Sequence, residues 1–370
     1  MIYQSFVIPI IKVTDSCNFT CKFCYYAQHG LKSKLMSVED CKNIIREVFD
    51  YNIERDNKKM RIIFHGGEPL LQPVDFYREV IAFENELVQT VDEFVFYNSI
   101  QTNGYLIDDV WINFFKANNF DVGISIDGPE FLNGHYGNLG VKICTKKVLD
   151  AIQLMNRLEC PYGIISVITD KHTRYAKDLY DFCVLNNIKD LSLNYCYNSE
   201  SDDSVDNSAL IRFMKELFDL YYFGSYELNI REFNEIIAKI MGYCSDTCAT
   251  CDRKNCGQYI SFDIDKNVFF CDTGYDKKTA IGNLHKTSLA EIIDSQQYLV
   301  KLCQCRQVYE DRCLNCNVKE ICGGGCHRYD IIDSDGKYSS NYFCLTHQSV
   351  AKYVRECLAN DNVLDNKWPV

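Results

Sequence analysis

Asp15-Ser16-Cys17-Asn18-Phe19-Thr20-Cys21-Lys22-Phe23-Cys24 spaces three cysteines as Cys-x3-Cys-x2-Cys on one short segment. Three thiolates so near one another along the chain can hold three corners of a cubane iron–sulfur cluster, leaving one iron open to a small molecule. Just upstream, residues 6–14 read as a strand. Downstream, residues 38–51 read as a helix with Ser37 as its N-cap and Asp40 at its third position. A strand at 60–64 runs into His65-Gly66-Gly67-Glu68-Pro69. A helix at 74–88 and a strand at 94–100 lead to Gln101-Thr102-Asn103-Gly104. A helix at 108–118 and a strand at 122–126 lead to Asp127-Gly128-Pro129. Helix 146–158, strand 162–168, helix 175–186 and strand 190–195 complete six β/α steps. Such alternation predicts an α/β fold, either a parallel sheet or a partial barrel. Parallel sheets bind ligands beyond the carboxyl ends of their strands, so the four polar or Gly-rich turns should share one rim. Helices at 208–222 and 229–241 should bridge to a cysteine-rich second part.

Composition narrows the functions. With 51 acids against 39 bases the net charge is −12, which argues against nucleic acid or an anionic membrane as the main partner. No stretch approaches the roughly 18 to 20 apolar residues of a membrane span. The N-terminus has neither the basic start nor the small-residue cleavage site of a signal peptide, so a cytoplasmic location is expected. The chain has 21 cysteines among 370 residues. A chain this long builds a core without disulfide staples, so in a reducing compartment clustered cysteines point to metal ligation.

A second group reads Cys-x2-Cys-x5-Cys-x3-Cys through Cys313, Cys316, Cys322 and Cys326, with Cys344 beyond and Cys251, Cys256 and Cys271 before it. Eight thiols suit two clusters or two four-cysteine zinc sites. Of the other ten, Cys41, Cys144, Cys160, Cys183, Cys196 and Cys357 read mainly as small core residues. Cys244 and Cys248 compete with Cys251 as the first ligand. Cys303-x-Cys305 is either core or a redox pair.

Together the Cys17 loop and Gly66-Gly67-Glu68-Pro69 closely resemble the radical S-adenosylmethionine (SAM) superfamily. The resemblance implies a partial (β/α)6 TIM-like barrel. It implies a [4Fe–4S] cluster on Cys17, Cys21 and Cys24, whose open iron is chelated by the amino and carboxylate groups of SAM. Phe23, Gly66, Gly67, Glu68 and Ser125 would line SAM, with Glu68 accepting hydrogen bonds from its ammonium group. Reductive cleavage would give a 5′-deoxyadenosyl radical that abstracts a hydrogen atom. The later cysteines resemble a SPASM domain, which carries two auxiliary [4Fe–4S] clusters. By that likeness Cys251, Cys256, Cys271 and Cys326 hold the nearer cluster, and Cys313, Cys316, Cys322 and Cys344 the distal one. Residues 1–205 would form the barrel, 206–243 a helical bridge, 244–346 the SPASM domain and 347–370 a C-terminal helix and tail. Lys266 stands where that pattern often has Gly.

The resemblance extends to anaerobic sulfatase-maturating enzymes through Ser99–Gly104 and through Asp272, which directly follows Cys271. In that family the matching Asp is the candidate base. His65 departs from its usual Gln, and Asn133 and Gly137 from its usual His and Arg. His65 and Gly323-Gly324-Gly325-Cys326-His327 also resemble maturases of ribosomally made peptides. The leading expectation is therefore an enzyme that crosslinks or oxidises a precursor peptide. Conversion of Cys or Ser to formylglycine is the alternative, and a cluster-bearing electron-transfer protein a third. The expected partners are a peptide or protein substrate and an external reductant such as flavodoxin or ferredoxin.

Overall fold

A computed structural model describes residues 6–21, 24, 34–134, 139–197, 203–243, 252–272, 277–332 and 338–361. Cys251, Cys244, Cys248, Phe23 and Gly137 lie outside the described residues. In chain order the elements are β1 (Ile8–Lys12), α1 (Val38–Ile53), β2 (Lys59–His65), α2 (Val74–Val88), β3 (Val95–Thr102), α3 (Asp109–Ala117), β4 (Asp121–Ser125), α4 (Val141–Arg157) and β5 (Tyr162–Ile168). There follow α5 (Ala176–Leu185), β6 (Asp190–Tyr195), α6 (Asn207–Phe223), β7 (Asn229–Ile230), α7 (Arg231–Ile240), β8 (Tyr259–Phe262), β9 (Asn267–Phe269) and β10 (Gly282–Asn283). The chain ends with α8 (Leu289–Ile293), α9 (Gln296–Cys313), α10 (Lys319–Cys322), β11 (Asp330–Ile332), β12 (Tyr338–Asn341) and α11 (Cys344–Asn360).

The chain gathers into two compact units. Unit 1 takes residues 1–126, 133–164 and 257–302, and unit 2 takes 127–132, 165–256 and 303–370. These units interleave along the chain. The physical reason is a long-range pairing: β8 lies parallel to β1, with Ile8 opposite Tyr259 and Ile11 opposite Phe262. That pairing places the segment after residue 256 with the first strands.

In unit 1 the strand order is β10-β9-β8-β1-β2-β3-β4. The pairs β1·β2, β2·β3 and β3·β4 are parallel, and the hairpins β8·β9 and β9·β10 are antiparallel. The expected α/β class with a mostly parallel sheet is thus the observed one. α1 shows how a helix is seated. Ser37 caps it by accepting from the Asp40 N–H, and its hydroxyl donates to the Asp40 carboxylate at 2.7 Å. Cys41, Ile44, Ile45, Val48 and Phe49 are buried at a spacing of three and four, one face of a helix. Beside α1, the side chains of Phe64, Tyr77, Trp111, Phe114 and Phe120 interlock, mostly edge to face, and Tyr77 donates its hydroxyl to the Pro69 carbonyl at 2.8 Å.

Two boundaries differ from the sequence reading. α4 starts five residues earlier than expected, directly after Gly140 at φ +85°, where a glycine breaks the chain cleanly. The expected helix 229–241 opens instead as β7, which pairs parallel with β6 in unit 2.

Candidate active site

In unit 1, β1, β2 and β3 deliver their following segments to the sheet's carboxyl edge. β1 runs into the Cys17 loop, and β2 into Gly66-Gly67-Glu68. The two are stitched by backbone: Gly67 N–H donates to the Thr14 carbonyl at 2.9 Å and Glu68 N–H to the Ser16 carbonyl at 2.7 Å. Only glycine permits this approach, because a Cβ on Gly67 would fall 2.0 Å from the Ser16 oxygen. Gly66 sits at φ +130°, and its Cβ would meet the Thr14 oxygen at 2.4 Å. Within the loop, Phe19 N–H donates to Cys17 Sγ at 3.4 Å. Burial pushes the Cys17 thiol up to about 12, and Glu68, Cys21 and Cys24 add to the rise. Cys24 N–H donates to the Cys21 carbonyl at 3.2 Å, and three thiols on one such loop fit an iron–sulfur cluster.

Glu68 is fully buried and already engaged. Oε1 accepts from Leu70 N–H at 2.9 Å and from the Thr102 hydroxyl at 2.6 Å, and Oε2 accepts from Asn103 N–H at 2.7 Å. Burial raises the carboxyl to about 7, against these three bonds, which lower it. The sequence reading gave Glu68 a ligand-binding task; in the structure it also locks the turn after β2 to the turn after β3. Asn103 extends the lock by donating to Asn18 Oδ1 in the Cys17 loop at 2.8 Å. Ser125 accepts from Gln101 Nε2 at 2.9 Å. The Gln101 side chain lies over Gly123, where a Cβ would be 2.2 Å from its oxygen. Asn133 is turned to Thr145, donating at 2.8 Å.

Asp272 forms an ion pair that the sequence did not foretell. Lys12 Nζ, at the end of β1, lies 2.8 Å from Asp272 Oδ1, and the Lys12 side chain is 0% exposed against 22% for Asp272. Burial lowers the Lys12 pKa, while Asp272 above all, then Asp263 and Cys271, oppose the drop. His65 is the register partner of Lys12 across β1·β2. Its Nδ1 accepts from Gly66 N–H at 2.8 Å, so the neutral ring carries its proton on Nε2. Burial lowers the His65 pKa, and nearby Asp272 works the other way. An apolar strand with one lysine gave no signal that this lysine would meet Asp272.

Unit 2 holds the other thiols. Burial raises the Cys313 thiol, and Cys322, Cys316 and Cys344 contribute to the rise. Cys316 N–H donates to the Cys313 carbonyl at 3.0 Å, Cys322 Sγ lies 3.2 Å from His347 Nδ1, and Gln348 donates to Cys344 Sγ at 3.1 Å. Burial depresses His347 to about 4. Of the expected nearer set, Cys256 and Cys326 belong to unit 2 and Cys271 to unit 1. Cys256 stands with Cys305 and His327, their donor atoms within 4.8 Å of one another. No local spacing announces that grouping, because its members lie far apart along the chain. Cys41, Cys144, Cys160 and Cys183 are buried core residues, as expected, whereas Cys303 is exposed.

A loop of three thiols stitched to a Gly-Gly turn at the carboxyl edge of a parallel sheet has the parts that a cluster-and-cofactor enzyme site needs. The Radical SAM superfamily profile matches residues 11–183. The cysteine-type anaerobic sulfatase-maturating enzyme of Clostridium novyi (strain NT) is 27% identical over 357 residues, covering 94% of each chain. A solved structure, native anSMEcpe with bound AdoMet and Kp18Cys peptide, has a TM-score of 0.84 at 25% identity, covering 98% of this chain and 99% of that one. SuiB of Streptococcus suis bound to S-adenosylmethionine has a TM-score of 0.64 at 19% identity over 92% of this chain and 77% of that one. Residues 11–183 thus form a radical SAM domain, in a chain similar to the anaerobic sulfatase-maturating enzymes over nearly its whole length and with a cysteine-rich C-terminal region. None of its described helices is long and apolar enough to cross a membrane.

Proposed function

We propose that the protein oxidises a cysteine or serine in a peptide segment to an aldehyde, after the pattern of the sulfatase-maturating enzymes. The observation that carries this reading is Asp272. It sits one residue after a candidate cluster ligand, held by Lys12, in a chain that matches those enzymes over nearly its whole length.

The residues divide into tasks. Cys17, Cys21 and Cys24 hold the cluster that binds SAM, and Phe23, Gly66, Gly67, Glu68 and Ser125 line SAM. Cys251, Cys256, Cys271 and Cys326 hold the nearer auxiliary cluster, and Cys313, Cys316, Cys322 and Cys344 the distal one. When bound, these groups supply the radical that removes one hydrogen atom and the acceptor that takes one electron. Asp272 takes the remaining proton, from the thiol or hydroxyl of the substrate residue. Loss of one hydrogen atom, one proton and one electron turns a serine side chain into the aldehyde. A cysteine gives a thioaldehyde, which water converts to the aldehyde with release of hydrogen sulfide. The Gly66-Gly67 turn keeps the SAM side of the site closely packed, and Glu68, Thr102 and Asn103 fix that turn.

The experiment is anaerobic reconstitution to about 12 iron per chain, for three cubanes of four iron each. Incubation with SAM, dithionite and the Kp18Cys peptide follows. The expected product is 5′-deoxyadenosine together with a peptide aldehyde captured by a hydrazide. Asp272→Asn should still form 5′-deoxyadenosine while aldehyde falls ~10²-fold or more. A second reading, crosslinking within a precursor peptide, is favoured by His65 in place of Gln. It predicts a peptide that loses hydrogen but gives no hydrazide adduct.

A further inference from the structure

Lys12 is a charged residue where an apolar one would be cheaper. Its strand is otherwise Ile8, Pro9, Ile10 and Ile11, and β1 is flanked by β2 on one side and β8 on the other. A fully buried ammonium is costly unless paired, and isosteric apolar replacement of buried pairs is often neutral or stabilising. Fold stability alone therefore gives little reason for this lysine. Its position gives one. β1 leads into the Cys17 loop, and its register partner His65 leads into Gly66-Gly67-Glu68. Asp272 comes from a different segment, the turn after β9. The ion pair at 2.8 Å ties that turn to the strand from which the radical-generating loop springs.

We propose that Lys12 is the positioning residue of Asp272, registering the base with the site of hydrogen abstraction. The inference rests on the reading of Asp272 as base. The chemistry demands such registration: the hydrogen atom and the proton leave adjacent atoms of one substrate residue. A misplacement of about 1 Å can cost on the order of 10²-fold in rate. Lys12 acts through Asp272 and is assigned no contact with substrate. Its charge also stands by Cys271, so the pair sets the local field at that ligand.

The test compares Lys12→Met, Lys12→Gln, Asp272→Asn and Lys12→Met/Asp272→Asn as reconstituted full-length enzymes with the Kp18Cys peptide. Expected for Lys12→Met are unchanged iron and 5′-deoxyadenosine formation, but aldehyde per 5′-deoxyadenosine lowered ~10-fold or more. Lys12→Gln, which keeps a donor, should recover part of the loss. In the Asp272→Asn background Lys12→Met should change the ratio less than ~2-fold, because both act on one step. Wild-type coupling in Lys12→Met, or an equal further loss in the double variant, overturns the proposal. Loss of auxiliary iron in both Lys12→Met and Lys12→Gln overturns it in favour of a structural role. Full aldehyde yield in Asp272→Asn instead breaks the reading of the base itself. A substrate-free arm uses the reduction potential of the auxiliary clusters. Removing the cation should shift one potential negative, removing the anion should shift it positive, and no shift in either variant shows that the pair is absent from the holoenzyme, which also overturns the proposal.

Discussion

The rim of unit 1 and the thiol group of unit 2 are built by opposite strategies. At the rim, backbone and polar side chains fix the geometry: Gly67 and Glu68 are tied to Thr14 and Ser16, and Glu68 to Leu70, Thr102 and Asn103. Strand ends carry these groups. In unit 2, Cys313, Cys316, Cys322 and Cys344 sit on or beside the short α10 and the ends of α9 and α11. There the fixed points are buried ion pairs. Arg253 is fully buried, pairs with Asp330 and donates to the Gly324 carbonyl at 3.0 Å. Lys239 pairs with Asp252 at 3.2 Å. A sheet edge can hold a cofactor by shape, whereas a loop-rich thiol cage must be held by charge and, when loaded, by the metal itself.

The largest expected effect separates the two regions outright. Replacing Cys17, Cys21 and Cys24 by Ala should abolish 5′-deoxyadenosine formation yet keep about two thirds of the iron, since two of the three proposed cubanes remain. Iron falling to zero would mean that the two regions depend on each other. Next comes Arg253→Met, which leaves Asp330 without its guanidinium partner. Breaking one side of a buried pair costs about 3–5 kcal/mol, read as a lowered denaturation midpoint and as loss of auxiliary iron. An unchanged midpoint would contradict the claim that charge holds this cage.

A smaller effect belongs to unit 1. Burial raises the Glu84 carboxyl from the ordinary 4.5 to about 8, and Asn98 donates to it at 2.7 Å. The folded value lies above the unfolded one, so the native state binds this proton more tightly. The resulting stabilisation is full below about 4.5 and is lost as pH rises through about 8. Melting temperature should therefore fall between pH 5 and pH 8.5, and Glu84→Gln should flatten that part of the slope. An identical slope in the variant would remove Glu84 from the account.

The smallest effect concerns Lys266. It occupies φ +55° in the turn between β8 and β9, where the pattern often has Gly. In exchange its side chain pairs with Asp40 at 3.2 Å and donates to Asn43 Oδ1 at 3.2 Å. Lys266→Gly relieves roughly 1–2 kcal/mol of backbone strain but loses both contacts, so denaturant unfolding should shift by less than about 1 kcal/mol. A larger loss would show that the side-chain contacts dominate.

These contrasts explain what the sequence disclosed. The Cys17 loop and the turn after β2 were readable because both are local: spacing and glycine pairs carry their meaning within ten residues. The six β/α steps were readable from periodicity, and strands 162–168 and 190–195 fall where β5 and β6 lie. The β8·β9 hairpin escaped because Lys266 replaces the glycine that would have announced the turn. Its pairing with β1 escaped because more than two hundred residues separate the partners, and that pairing sets the interleaved units. Lys12 beside Asp272, and Cys305 and His327 beside Cys256, are tertiary encounters with no local signature.

In the proposed function, the protein takes a hydrogen atom from the side-chain carbon of a peptide residue and passes that residue on as an aldehyde. Deuterium at the Cβ of the cysteine in Kp18Cys follows that atom directly. Deuterium is expected in the 5′-deoxyadenosine, with aldehyde formed in matching amount. 5′-Deoxyadenosine that accumulates with peptide present but carries no deuterium would contradict it.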